Sequence, residues 1–223
     1  MALIVPVKDI REAMALTDEI VGLNTAVERA IEMAQQAVSE SFRSPFERVT
    51  VVDEFWVHHS RKFGDSHQTA LLLSRGLVDE GESISIFASG IRNYLDDSSQ
   101  RVNLQDVSGD NLIRLDSDIG VIDITEYDLS FCFVRVSYTA GLLDNNSSPP
   151  IYQDVPTWLS QAVRLNTQVL LDANPIIPRP TVRDEKGTAQ TDIAEKQLAS
   201  IMLSKSRYHP RAVKPKYTSE TPV

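Results

Sequence analysis

Phe133-Val-Arg-Val-Ser-Tyr-Thr-Ala-Gly-Leu-Leu143 reads as a β-strand that stops abruptly at Gly141. Asn145-Asn-Ser-Ser-Pro-Pro150 then forms a loop. The chain re-enters regular structure as Val155-Pro-Thr-Trp-Leu-Ser-Gln-Ala-Val-Arg-Leu-Asn-Thr-Gln-Val-Leu-Leu171. This second stretch reads as a helix, expected over 155–173. Asp154 is expected to cap it, with Pro156 in the first turn, where a missing N–H costs nothing. Trp158, Leu159, Ala162, Val163, Val169 and Leu170 form its apolar stripe. One strand and one helix so closely joined place an apolar sheet next to a helical bundle.

Upstream, residues 7–16 read as a short helix and 18–41 as a long one. Ile20, Leu23, Val27, Ile31, Ala34, Val38 and Phe42 recur at steps of three and four, one face of a helix. Glu28, Arg29, Glu32, Gln35 and Gln36 fall on the other face. Thr17 or Asp18 offers a cap, and Ser44-Pro45 ends the helix because Pro disfavours a helical residue before it.

The texture changes over 47–140. Residues 47–61, 69–74, 83–88, 111–115, 120–125 and 129–139 are rich in β-branched and aromatic side chains. Turn formers separate them, such as Gly64-Asp65, Glu80-Gly81 and Asp116-Ser-Asp-Ile-Gly120. About five or six mostly antiparallel strands follow, with hairpin-length connections. Beyond 175, Pro178-Arg179-Pro180 reads as a stiff linker and 189–205 as a helix with a narrow stripe of Ile193, Leu198, Ile201 and Met202. The residues from Tyr208 onward hold three prolines and no period, so they cannot fold alone. The expected fold is α+β: a small helical bundle with an inserted, mostly antiparallel β region, plus an extended C-terminal helix and tail. The expected division is a core of 1–175 and a C-terminal part of 176–223.

Composition limits the function. The 223 residues, 42% of them hydrophobic, suffice for a real core. The single cysteine, Cys132, lies in an apolar strand and reads as a small hydrophobe. One cysteine excludes a disulfide framework within the chain and suits a reducing compartment. No apolar run approaches the ~18 residues of a spanning helix, and the N-terminus lacks a signal-peptide pattern. A soluble protein with no membrane association is expected. The net charge is −9. From Ser204 to Val223 there are five basic residues and one acid, a surplus of 4 that leaves the remainder at −13. An acidic body grips phosphates poorly, whereas its basic tail suits docking onto something acidic.

Sites of chemistry are scarce. His58, His59 and His67 lie near Asp53, Glu54 and Asp65, but neighbours on a strand point to opposite faces and share an ion poorly. Asp53 and Glu54 diverge for the same reason, which disfavours a carboxylate pair. The acids at 106, 110, 116, 118 and 123 fit no calcium loop, and Asp116–Gly120 reads as a hairpin turn. There is no phosphate-cradling, dinucleotide or nucleophile-elbow motif. Trp56 and Trp158 read as core anchors. No catalytic residue, cofactor or metal is expected, so the chain reads as a non-enzyme. An alternative of another class, a small metal-dependent hydrolase, would use His58, Asp53 and His67.

Four blocks, in order, carry a resemblance. They are Phe42-Arg-Ser-Pro-Phe46, Leu71-Leu-Leu-Ser-Arg-Gly-Leu-Val78, Val134-Arg-Val-Ser-Tyr-Thr-Ala-Gly141 and Val155-Pro-Thr-Trp-Leu-Ser-Gln-Ala-Val163. Within a layout covering roughly residues 7–175, they resemble the head–tail connector (adaptor, or head-completion) proteins of tailed bacteriophages. The segment between Val78 and Val134 looks longer than that family's compact pattern. The resemblance implies a homo-oligomeric ring of about twelve copies beneath the portal protein. Genomic double-stranded DNA would pass through its lumen without sequence-specific binding. The other face would meet a stopper or tail-completion protein. The location implied is the virion neck, with assembly in the host bacterial cytoplasm. A stopper or tail-terminator role is the alternative within the same stack. The tail then becomes a portal-docking arm with Lys205, Arg207, Tyr208, Arg211, Lys214, Lys216 and Tyr217 as contacts.

Overall fold

The computed structural model describes residues 2–16, 22–63, 66–107, 113–145, 147–173, 190–207, 209 and 211–223. The fold is α+β, and the chain packs as two compact units. The first comprises Met1–Arg43 and Leu143–Ser206, the second Ser44–Leu142 and Arg207–Val223. Thus the last helix packs with the helical unit and the tail with the β unit. A division into 1–175 and 176–223 runs along a different line.

The helical unit contains α1 (Val7–Ala13) and α2 (Leu23–Phe42). Leu23, Val27, Ile31, Ala34, Val38 and Phe42 of the expected stripe are all buried, alongside Ala30. Gly22, in the left-handed region at φ 77°, precedes the helix with no side-chain cap. The expected caps Thr17 and Asp18, with Ile20, lie outside the described residues. Gln35, placed on the polar face by its spacing, is instead 3% exposed. Its side-chain oxygen accepts from the Ile4 N–H at 2.7 Å, and its amide donates to Tyr152 and to the Ala2 carbonyl. Those bonds satisfy an amide that could not otherwise be buried.

In the β unit, β1 (Val49–Val57), β2 (Arg61–Phe63), β3 (Ser66–Leu72), β4 (Ser85–Ser89) and β5 (Val102–Asn103) follow. The one-turn α3 (Leu104–Val107) precedes β6 (Ile113–Asp116), β7 (Val121–Thr125) and β8 (Cys132–Ala140). Back in the helical unit, β9 (Leu143–Asp144) and β10 (Ile151–Tyr152) pair around the expected loop. Then come α4 (Thr157–Asp172) and α5 (Gln190–Ser204), which pack on one another. Pro156, not Asp154, occupies the N-cap of α4, with no side-chain cap bond. Asp154 sits two residues earlier at φ 48°, too far upstream to reach the first-turn N–H groups. The linker 176–189 lies outside the described residues. No helix among the described residues is long and apolar enough to cross a membrane.

The last element is one that the sequence pattern did not show. Residues Tyr217–Pro222 form β11, an edge strand of the five-stranded sheet β11-β1-β8-β4-β5. A four-stranded sheet, β2-β3-β7-β6, lies in the same unit. Every strand pair in both is antiparallel. Val51, Phe55, Val134, Val136 and Ile86 of one sheet share a core with Leu71, Ile122 and Ile124 of the other. Each such side chain, fully buried, contributes about 1.5–3 kcal/mol. The tail lacks a hydrophobic period and still forms a strand, because a ladder is made by backbone groups and β1 offers a free edge.

Gly141 stops β8 for a steric reason. It has φ 98°, and a Cβ there would lie 2.1 Å from the Glu47 carbonyl oxygen. Its N–H donates to the Leu77 carbonyl at 2.9 Å, and Leu142 N–H donates to Phe46 at 2.8 Å. Gly141→Ala is expected to lower unfolding free energy by about 2–4 kcal/mol in chemical denaturation. Gly90→Ala, where an added Cβ meets nothing within 4 Å, should stay within about 0.5 kcal/mol. Equal effects at the two sites would contradict this account of the strand stop.

Candidate functional site

On β1, the inward positions run Val49, Val51, Asp53, Phe55 and Val57, and all are buried. A carboxylate in the middle of such a row must be fully bonded, or its burial costs several kcal/mol. Asp53 has no exposed surface. It accepts from the Ser74 N–H at 2.7 Å, the Tyr138 hydroxyl at 2.9 Å and the Thr218 hydroxyl at 2.6 Å. Tyr138 in turn accepts from the Arg75 N–H at 3.1 Å. Burial first, then the Asp53 charge, pushes the Tyr138 phenol well above its ordinary pKa, so it remains a donor to Asp53.

Thr218 belongs to the tail, so the tail completes this centre. Two residues on, Glu220 takes a bidentate pair from Arg75, at 2.8 and 2.6 Å. The remaining Arg75 nitrogen donates to the Glu47 carbonyl. Register places Val51 opposite Glu220 and Asp53 opposite Thr218, so both tail side chains face the same side of the sheet as the core row. On the other side, Glu54 accepts two bonds from Arg92 and two from Arg135. Arg92 also lies over the Tyr217 ring, 4.1 Å from its centroid. Burial raises the Glu54 pKa, but the Arg135 and Arg92 guanidiniums outweigh that and hold it below its ordinary value. The Arg75 bonds do the same for Glu220.

Arg207 fastens the start of the tail. Its guanidinium donates to the carbonyls of Leu73, Ser74 and Ile119. Burial lowers its pKa, opposed by Tyr138 and Asp53, and a guanidinium stays charged regardless. Val213 is pinned to β3 by two backbone bonds, Val213 N–H to Ala70 and Leu72 N–H to Val213. Of the tail residues expected as partner contacts, Arg207 and Tyr217 thus have partners within the chain. Lys205 lies 5.6 Å from the Trp158 ring centroid in the helical unit. Arg211, Lys214 and Lys216 are exposed, and Tyr208 lies outside the described residues.

The hydrolase residues do not converge. Asp53 serves the tail seat, His58 stacks edge-on against Trp56, and His67 sits 3.5 Å from Asp128. Among the described residues, no three His, Cys, Asp or Glu side chains are grouped to hold a metal. Trp56 and Trp158 are half-buried and not fully buried core anchors; Trp56 lies tilted against Phe133, and Trp158 borders Phe42 and Lys205. Cys132 is half-buried, with its thiol pKa raised by burial and then by Asp128. Asp116–Gly120 is the β6–β7 turn, closed by Gly120 N–H to Asp116 at 2.8 Å.

The sequence reading missed Asp53, Arg75, Tyr138, Thr218 and Glu220 as one group. The signal was present in β1 alone. A period-two apolar row interrupted by one aspartate demands partners on other strands.

Stability should carry a pH signature of these carboxylates. Glu54 and Glu220 both titrate below the 4.5 of a free glutamate when folded. Their contribution is therefore full above about pH 4.5 and lost as pH falls through the lower folded values. Glu220→Gln should cost about 1–3 kcal/mol at neutral pH, since it leaves Arg75 buried without its carboxylate. Denaturation midpoints measured from neutral pH down to pH 3 should then fall less steeply for Glu220→Gln than for the parent. Parallel curves would remove the Arg75–Glu220 pair as a source of tail stability.

No family model matches the chain, and no curated protein is similar to it. Two solved structures show a distant likeness. One is the neck of an empty gene transfer agent particle computed with C6 symmetry, at 13% identity, over 92% of this chain and 90% of that one, with a TM-score of 0.38. The other is the virion of a native gene transfer agent particle, at 14% identity, over 94% of each chain, with a TM-score of 0.39. Neither likeness is near enough to place the chain in a family.

Proposed function

We propose that this chain is a structural subunit of the neck of a tailed bacteriophage, a head–tail adaptor that forms a ring beneath the portal. The reading is carried by the four ordered sequence blocks, three of which meet at one point of the β unit. Ser44 of the first block bonds both the N–H and the carbonyl of Gly76 in the second. Gly141 of the third donates to Leu77 of the second, and Leu142 beside it donates to Phe46 of the first. Residues spread from Ser44 to Leu142 therefore make one joint, which gives the blocks a common physical reason to occur together.

In that ring the acidic body has a use. A wall of like charge repels DNA phosphates and lets the duplex slide without sticking. The exposed tail cations Arg211, Lys214 and Lys216 would meet an acidic portal face. Lys205, Arg207, Tyr208 and Tyr217 would complete that contact on rearrangement of the tail. Each contact is weak, and a ring multiplies them.

Inactivating the gene in its parent phage should yield filled heads and separate tails. Supplying the protein in trans should restore joined particles. The purified chain should co-elute with portal rings, and Arg211→Glu combined with Lys214→Glu and Lys216→Glu should abolish co-elution without changing the denaturation midpoint. Joined, infectious particles made without the protein would overturn the neck reading. Unaltered co-elution of the triple variant would overturn only the role of the tail.

A further inference from the structure

We propose that the seat on β1 is a strand-exchange site, able to take the C-terminal strand of a second copy of this chain in place of its own. The way β11 is held points there. All six residues from Tyr217 to Pro222 are exposed, so no side chain of the strand is sunk in the core. The strand is kept by its backbone ladder and by discrete polar clamps. These are Thr218 on Asp53, Glu220 on Arg75, Tyr217 beneath Arg92, and the Lys216 N–H on the Glu54 carbonyl. Such clamps release stepwise and re-form on any strand with the same groups in the same register.

The seat, by contrast, is incomplete when empty. Asp53 and Arg75 are buried, and both lose a partner if the strand leaves. A replacement must present a hydroxyl and, two residues later, a carboxylate on the same face of a strand. The C-terminal strand of a second copy meets that requirement at every clamp. The exchanged state thus keeps all the contacts of the closed one and differs only at the hinge.

The hinge is short and stated by the geometry. Val213 is bonded to β3 on both of its backbone groups, and Arg207 is anchored to three carbonyls, so both stay behind. Rotation falls on Lys214-Pro215-Lys216. Pro215 has no N–H to lose and keeps its extended φ. The hinge of three residues spans about 10 Å when extended, which sets how near one copy's Val213 must come to the other copy's β1 edge. Reciprocal exchange closes a dimer, and exchange passed on in one direction builds a ring or filament. The inference stands on the β unit alone and does not depend on the neck reading.

Register supplies the test. Val52 and Ser219 face one another across β1 and β11. Two full-length chains are made, one Val52→Cys and one Ser219→Cys, both with Cys132→Ser and distinguishable by tag. They are mixed at micromolar to millimolar concentration, warmed gently and joined with a short bis-maleimide. A mixed cross-linked dimer should form and increase with concentration. The double variant should link within one chain, which shows that the seat is folded. Once linked it should remain at monomer mass where the unlinked chain gives larger species. Thr218→Val with Glu220→Gln in the Ser219→Cys chain should lower the mixed yield at least about tenfold. Linking only within the double variant, with none between chains at any concentration, would overturn the proposal. So would a mixed yield unaffected by removal of the two clamps.

Discussion

Asp53 sits on the core face of a five-stranded sheet with no exposed surface, and its charge is tolerated only because three donors converge on it. Those donors come from the loop after β3, from β8 and from the tail. One buried carboxylate therefore couples the centre of the sheet, its neighbouring strand and the last residues of the chain. Loss of any one donor leaves part of a buried charge unmet, at about 1–3 kcal/mol or more. An apolar residue at this position would pack without such demands and would leave the register of β11 to the Glu220–Arg75 pair and the Tyr217–Arg92 contact alone.

The loop Leu73–Val78 is the second dependency. It has no regular secondary structure, yet its groups are bonded nearly one by one. Ser74 N–H meets Asp53, Arg75 N–H meets Tyr138, Gly76 meets Ser44, and the Leu77 carbonyl meets Gly141. Arg207 covers the carbonyls of Leu73 and Ser74. A buried loop stays in place only when its backbone groups are satisfied in this way. The positive φ of Gly141 belongs to the same joint, because only a residue without Cβ lets β8 end against Glu47.

How much was legible in the sequence follows the distance of the partners. The α2 stripe and the β6–β7 turn were readable because each follows from a local pattern along the chain, and the end of β8 because a glycine marks it, although the reason for that glycine lies far upstream at Glu47 and Leu77. Gln35 was misplaced because the partners that satisfy it, Ile4, Ala2 and Tyr152, lie 31, 33 and 117 residues away. That the tail, which cannot fold alone, would find its seat on β1 was hidden for the same reason. Its clamps lie 145 and 165 residues upstream, at Arg75 and Asp53. Composition recorded the basic surplus of the tail. It did not reveal that the one acid there, Glu220, would pair with the buried Arg75.

By itself the sequence determined the long helices, the main strands, the α+β class and the acidic body with its basic end. Those properties rest on periodicity, turn chemistry and charge, which are local or additive along the chain. Only the tertiary structure decided which edge of which sheet the C-terminal strand occupies, which polar groups are buried and who satisfies them. These depend on pairings between residues far apart in sequence. A carboxylate on an apolar row announces a need for donors, but only the folded chain shows where they come from.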